Sequence, residues 1–141
     1  MELELECIAI EKDEGTSAIL GHAGFIKTVE DLYEAMVGSV PGIKFGIAFA
    51  EASGPRLVRS DGNDDGLRQQ AEGNILKIAA GHTFLILFKE AYPINVINNV
   101  RNSVRWLRFI APPATPYKLS WQRQRLDAQS SALSMVSHRV Q

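Results

Sequence analysis

The stretch Ile43–Ala50, IKFGIAFA, decides the architecture. Its alternate residues Ile43, Phe45, Ile47 and Phe49 are large and apolar, so period two makes it a strand with one heavily packed face. The other face carries Gly46, Ala48 and Ala50 and is nearly bare. A bare strand face admits the close approach of a helix backbone or a ligand. Lys44 shares that bare face, an odd place for a charge that is merely solvated.

Working outward, Thr28 can cap a helix over about 29–39, with Asp31 in the reciprocal capping position and Pro41-Gly42 as the stop. Val29, Leu32, Tyr33 and Met36 form its apolar stripe. Before it, Leu3, Leu5, Cys7 and Ala9 alternate with Glu2, Glu4 and Glu6, and 17–20 is a second short strand closed by Gly21. After it, turns at Ser53-Gly54-Pro55 and Asp61-Gly62-Asn63 flank a strand at 56–59. Asn63 caps the next helix, whose Leu67, Ala71, Ile75 and Ile78 fall at core spacing before Gly81 stops it. Thr83–Phe88, TFLILF, does not alternate and marks a central strand buried on both faces. Pro93 opens a third helix whose Ile94, Ile97 and Val100 pack inward. Strands alternating with helices imply α/β layers, a mixed sheet with helices packed on it.

After Asn102 this grammar stops, and the charge changes with it. Residues 1–100 carry eight Lys and Arg against fifteen Asp and Glu, net −7, while residues 101–141 carry seven against one, net +6. The expected organisation is therefore an incomplete domain at 1–102 and a non-native tail at 103–141, with the C-terminal strands missing or scrambled. The composition, 45% hydrophobic and 22% charged, is that of a soluble globular chain. Cys7 is the only cysteine, which excludes an intrachain disulfide and a thiolate metal cluster. The acidic start Met-Glu-Leu-Glu-Leu-Glu is unlike a secretory signal, and no apolar run is long enough to span a bilayer. The expected location is the cytoplasm, with no membrane partner.

Four segments carry a resemblance: Phe25–Pro55 (FIKTVEDLYEAMVGSVPGIKFGIAFAEASGP), Gly62–Asp64 (GND), Ala80–Phe88 (AGHTFLILF) and Tyr92–Asn102 (YPINVINNVRN). Together they resemble the adenosine-specific kinase family, small prokaryotic α/β proteins, across nearly all of residues 3–102. Such proteins continue with Cys-Ala-Thr-x-Asn-Pro and a Gly-rich strand ending Asp-Gly-Phe-Ser-Pro, and neither is present here. Read from the third base of each codon, permitted codons after Ile110 give CATGNPVQVVLAETEAGRAILGVIDGFSP. Some positions allow no choice. Trp121 before Gln122 must give Ala, Met135 before Val136 must give Gly, and Tyr117 before Lys118 must give Gln or a stop. The tail thus reads as the product of one lost nucleotide shortly after Asn102. A basic, aromatic arm for nucleic acid (Arg105, Trp106, Arg108, Tyr117, Trp121, Arg123 and Arg125) is the competing reading. The forced codons disfavour it, so no nucleic-acid partner is expected.

The resemblance also implies the chemistry. A histidine at the mouth of a buried strand is more often a hydrogen-bonded core or edge residue than a catalyst. In this family, however, the histidine matching His82 in Gly-His-x-Phe is a phosphate acceptor, and imidazole accepts phosphoryl directly near neutral pH. The C-terminal dipole of a helix ended by Gly81 would oppose a phosphate there. Lys44 and Lys27, or donors from another subunit, would have to outweigh it, Lys27 being equally readable as a solvated side chain. Glu51, Ser53 and Gly54 follow a strand's carboxyl end, where open sheets place ligands. Asn63 is a candidate contact, and Asp64 is a candidate magnesium ligand. Asn98, one turn beyond Asn95, could reach adenine or ribose. His22 and Gly24 depart from the Gly-Gln-Ser-His order of the family, so the resemblance assigns His22 no role.

The expected function is an adenosine kinase working with ATP or another phosphate donor, with Mg2+ as a candidate cofactor and phosphohistidine as a candidate intermediate. The expected partners are adenosine or AMP and further copies of the chain. The alternatives are an adenosine or AMP sensor without turnover, and an inactive truncated product. No Walker loop or protein-kinase Gly-rich loop is present in the sequence.

Overall fold

The computed structural model describes the backbone of residues 2–24, 27–51, 57–103, 108–109, 117–126 and 130–139. In chain order the elements are β1 (Glu2–Ala9), β2 (Ser17–His22), α1 (Thr28–Val37), β3 (Lys44–Ala50), β4 (Val58–Gly62), α2 (Asp65–Ile78), β5 (Thr83–Lys89), α3 (Pro93–Ser103), β6 (Arg108–Phe109), β7 (Tyr117–Leu126) and β8 (Ser130–Arg139). They form two units, Glu11–Ala114 and a second made of Met1–Ile10 with Thr115–Gln141.

The larger unit is built on a sheet of order β4-β3-β5-β2-β6. Thr83–Phe88 lies in β5 at its centre and is buried throughout. Helices cover both faces, as an α/β layer arrangement requires. Phe45, Ile47, Phe49, Phe84, Ile86 and Phe88 meet Val29, Leu32 and Met36 of α1 and Val96 and Val100 of α3. The opposite face receives α2, which buries Leu67, Ala71, Ile75 and Ile78. Gly46 shows why that face is bare: a Cβ there would lie 2.2 Å from the Arg68 backbone nitrogen. The close approach anticipated from the sequence is made by a helix.

Several local expectations are corrected. Every pairing is antiparallel, so the sheet is not mixed. The α1 crossover does join two strands running the same way, but β5 is slotted between them and pairs with both. Asp64, and not Asn63, caps α2, its Oδ1 accepting from the Leu67 N–H at 2.9 Å. Thr28 lies buried inside the first turn of α1, whose N-cap is Lys27 without a side-chain cap bond. In α3 the buried pair is Val96 and Val100, four residues apart on one face, while Ile94 is 80% exposed.

Helix α2 ends at Ile78, three residues before Gly81, and its C-cap Ala79 is left-handed at φ 53°. A non-glycine residue in that conformation is strained by roughly 1–2 kcal/mol. Ala79→Gly should therefore stabilise the domain, by about 1 kcal/mol. A higher urea midpoint at an unchanged slope checks it, and an unchanged or lower midpoint would refute it.

The smaller unit is a sheet of order β1-β7-β8. Residues beyond Asn102, expected to hold little regular structure, contain β7 and β8 of this sheet as well as the two-residue β6 of the larger unit. Tyr117, Leu119 and Trp121 alternate along β7, and the register sets Glu2 and Glu4 opposite Arg125 and Arg123. The hydrophobic pattern nonetheless fails to continue. The same register sets Leu3, Leu5 and Cys7 opposite Gln124, Gln122 and Ser120.

Candidate functional site

The carboxyl ends of β2 and β3 and the amino end of β5 converge on His82. Its N–H donates to the Ala50 carbonyl at 2.8 Å, and its own carbonyl accepts from the Ala23 N–H at 2.8 Å. These two bonds clamp the residue between neighbouring strands at φ 63°, a left-handed conformation uncommon outside glycine. Backbone strain of this kind persists only where the surroundings impose it, and it concentrates at functional sites. The imidazole lies between two rings. His22, the last residue of β2, is 5.5 Å away by ring centroid and inclined at 66°, and Phe49 is 6.5 Å away. Nδ1 of His82 and Oγ1 of the adjacent Thr83 are buried without a hydrogen-bond partner. Most buried polar atoms are paired, so two unpaired ones at successive residues mark groups not committed to the fold.

Charge gathers at the same end. Glu51 follows β3 directly, its N–H bonded to the Leu57 carbonyl at 3.0 Å. Arg59, opposite Phe49 in the β3–β4 ladder, places its guanidinium 3.8 Å from the Glu51 carboxylate and 2.6 Å from that of Glu30. Glu30 lies in the first turn of α1, so that helix also begins at this end, and exposed Lys27 begins it. The positive end of the α1 dipole thus lies at the same end of the sheet. The opposing helix end is less of an obstacle than the sequence suggested, because α2 stops four residues before His82 and the dipole fades beyond the last turn.

The structure does not bring the other candidates here. Lys44 is exposed at the opposite end of β3, opposite Lys89 and, at strand rise, about 20 Å from Ala50. It lines a separate cavity of about 260 Å³ with Val37, Val40, Pro41, Gly42, Ile43 and Asn63. The Asn63 amide is committed to bracing β3: Oδ1 accepts from the Phe45 N–H at 2.9 Å, and Nδ2 donates to the Ile43 carbonyl at 2.7 Å. Asp64 spends a carboxylate oxygen on its helix, and no three His, Cys, Asp or Glu residues group as a metal cradle among the described residues. A magnesium ion at Asp64 would have its other carboxylate oxygen as a protein ligand, water and donor phosphates filling the remaining places. Asn98 is exposed along α3. Ser53 and Gly54 lie outside the described residues.

Two residues to which the sequence assigned no role lie at this candidate site. Arg59 gave no signal. His22 did, since Gly21-His22 and Gly81-His82 are the same dipeptide, one closing β2 and the other leading into β5.

A family model described as "Adenosine specific kinase" matches residues 8–125. Among solved structures, the chain is similar to the PH1918 protein of Pyrococcus horikoshii OT3, with 40% identity and a TM-score of 0.84 over 99% of this chain and 85% of that one. No curated protein matches. No helix among the described residues is long and apolar enough to cross a membrane.

Proposed function

The chain belongs to the adenosine-specific kinase family, and from that premise we propose that it phosphorylates adenosine with His82 as the intermediate carrier. The first transfer forms an N–P bond to His82 as the P–O bond to the donor breaks, ADP leaving when the donor is ATP. In the second, a ribose hydroxyl attacks phosphorus, the N–P bond breaks, the hydroxyl proton passes to a base, and AMP leaves. The observation carrying this reading is the clamped, left-handed His82 with an uncommitted ring nitrogen. The start of α1, with Lys27 beside it, supplies positive potential for phosphate. The segment after Glu51 is the proposed nucleoside contact. Lys44, Asn63 and Asn98 would join the site only across a homo-oligomer, and the proposed location is the cytoplasm. Incubation with γ-labelled ATP tests the reading. Label should appear on the protein without adenosine and in AMP with it. Tight AMP binding with no label in either place would make the chain a sensor.

We also propose that the chain is read out of frame after about Asn102. The polar residues set against the apolar positions of β1 support this, because a strand pairing native to the fold continues the apolar face across its register. The family match runs on to residue 125, so the nucleotide sequence across codons 100–112 is the direct check. The consequence for solubility lies at β2. β5 is central and presents no edge, whereas β2 meets only the two residues of β6, so Ser17–Leu20 has no outer strand partner among the described residues. Such an edge invites association with other chains. Restoring one nucleotide after codon 102 should raise the soluble fraction severalfold on expression at equal levels. Equal solubility, or an intact frame in the gene, would remove the proposal.

A further inference from the structure

Phosphoryl transfer to a hydroxyl releases a proton, and the site must hold a group to receive it. His82 cannot serve during in-line attack, because the hydroxyl then stands on the side of phosphorus away from the imidazole that is leaving. We propose that His22 is the catalytic base for this step. The inference rests on the reading of His82 as the phosphate carrier and of adenosine's hydroxyl as the acceptor.

Placement is the main argument. His22 ends β2 opposite Thr83, the residue next to His82, in an antiparallel ladder of six consecutive pairs. The following residue, Ala23, donates its N–H to the His82 carbonyl. Both imidazoles are therefore tethered through hydrogen-bonded backbone on adjacent strands, which is how a site keeps reacting groups in register. The centroid separation of 5.5 Å suits the task. A hydroxyl poised for attack stands about 3–3.5 Å from phosphorus, which places it roughly 5 Å from the nitrogen being displaced. An imidazole edge-on to His82 reaches that region. Both rings are half-buried, so the proton need not exchange with bulk water during attack.

The other candidate bases at this end are two carboxylates, both paired with Arg59. The Glu51 carboxylate lies 3.8 Å from the Arg59 guanidinium, and that of Glu30 lies 2.6 Å from it. Imidazole is the side chain most often used as a general base. Within the unit Glu11–Ala114, His22 and His82 are the only histidines.

In the step itself, the hydroxyl O–H bond breaks as the O–P bond forms, the proton goes to a ring nitrogen of His22, and phosphorus leaves its previous partner. His22 then returns the proton to solvent. The charge passing through the site is thus one proton, and no further reactant is needed.

The test uses the full 141-residue chain with His22→Gln and His22→Ala, following AMP formation in single turnovers. Transfer to adenosine should fall by about 10²–10⁴-fold in both variants. Labelling of His82 in the absence of adenosine and the adenosine Kd should stay within about threefold. Added imidazole should restore part of the rate of His22→Ala, and more basic substituted imidazoles should restore more. This dependence separates a proton acceptor from a packing role. Transfer by His22→Gln within threefold of the unsubstituted chain would overturn the proposal. So would a loss in His22→Ala that no imidazole relieves. If the unsubstituted chain forms AMP and His22→Gln keeps pace, this proposal alone falls. If the unsubstituted chain labels neither His82 nor adenosine, the kinase reading falls and this one with it.

Discussion

Replacing His82 by asparagine should abolish phosphate incorporation into the protein while leaving adenosine affinity nearly intact. Asparagine is the informative choice because, like histidine, it tolerates the left-handed backbone at φ 63°, whereas alanine would add strain unrelated to chemistry. It keeps a polar side chain but cannot accept phosphoryl. The two effects differ in scale for a physical reason. Losing a nucleophile removes the covalent step itself, so the rate should fall by at least about 10³-fold. Losing one neutral hydrogen bond to the nucleoside costs about 0.5–1.5 kcal/mol, roughly tenfold in Kd at most. Mass spectrometry of the protein after incubation with ATP reads the first, and calorimetric titration with adenosine reads the second. If His82→Asn still labels at the unsubstituted rate, the carrier is elsewhere and His82 is a strained structural residue. If labelling and binding vanish together, while the circular dichroism spectrum is native, His82 is a binding residue and the covalent route is wrong.

A second large effect is expected at Gly46, where function plays no part. Its Cβ position is 2.2 Å from Arg68 N and 2.3 Å from the Leu67 carbonyl carbon, both backbone atoms of α2. No rotamer change relieves such an overlap, so Gly46→Ala must push the helix off the sheet, away from Ala48 and Leu85. Overpacking costs about 1–3 kcal/mol when side chains can yield, and a backbone clash belongs at or above that limit. Against a typical total of about 5–15 kcal/mol, this should lower the melting temperature by on the order of 10 °C or prevent folding. The matched control is Gly73→Ala in the middle of the same helix. A Cβ there meets nothing within 4 Å, so helix propensity alone should stabilise by about 0.5–1 kcal/mol. Calorimetric scans of both variants decide the matter. A Gly46→Ala protein melting with the unsubstituted one would mean that α2 does not sit against β3.

The sequence revealed what short-range pattern encodes. The alternation of Ile43–Ala50 announced both the packed face and the bare one, and the unbroken apolar run Thr83–Phe88 announced the central strand. These are properties of one segment at a time. Strand direction is not, because it depends on β5 entering between β2 and β3, so the mixed sheet could not be distinguished from the antiparallel one. The His82 candidate was legible through family resemblance, but its neighbours were not. His22 reaches it through a ladder joining residues some sixty positions apart, and Arg59 through pairing with Phe49. Lys44 illustrates the reverse. A charge on a bare strand face looked purposeful, but the face is long enough for its two ends to serve different surroundings.

The two asparagine braces differ in how much chain they close. Asn63 bonds to residues 18 and 20 positions away, at Phe45 and Ile43, and so ties β3, β4 and the start of α2 into one compact stretch. Asn74 accepts from the Glu11 N–H and donates to the Glu11 carbonyl across 63 positions. Loop closure grows with the logarithm of length, so the longer tie costs about 1 kcal/mol more of chain entropy than the shorter one. The stretch from Ile43 to Ile78 can therefore assemble on contacts that are cheap to reach. The strap from Glu11 is affordable only once α2 already stands where Asn74 can meet it.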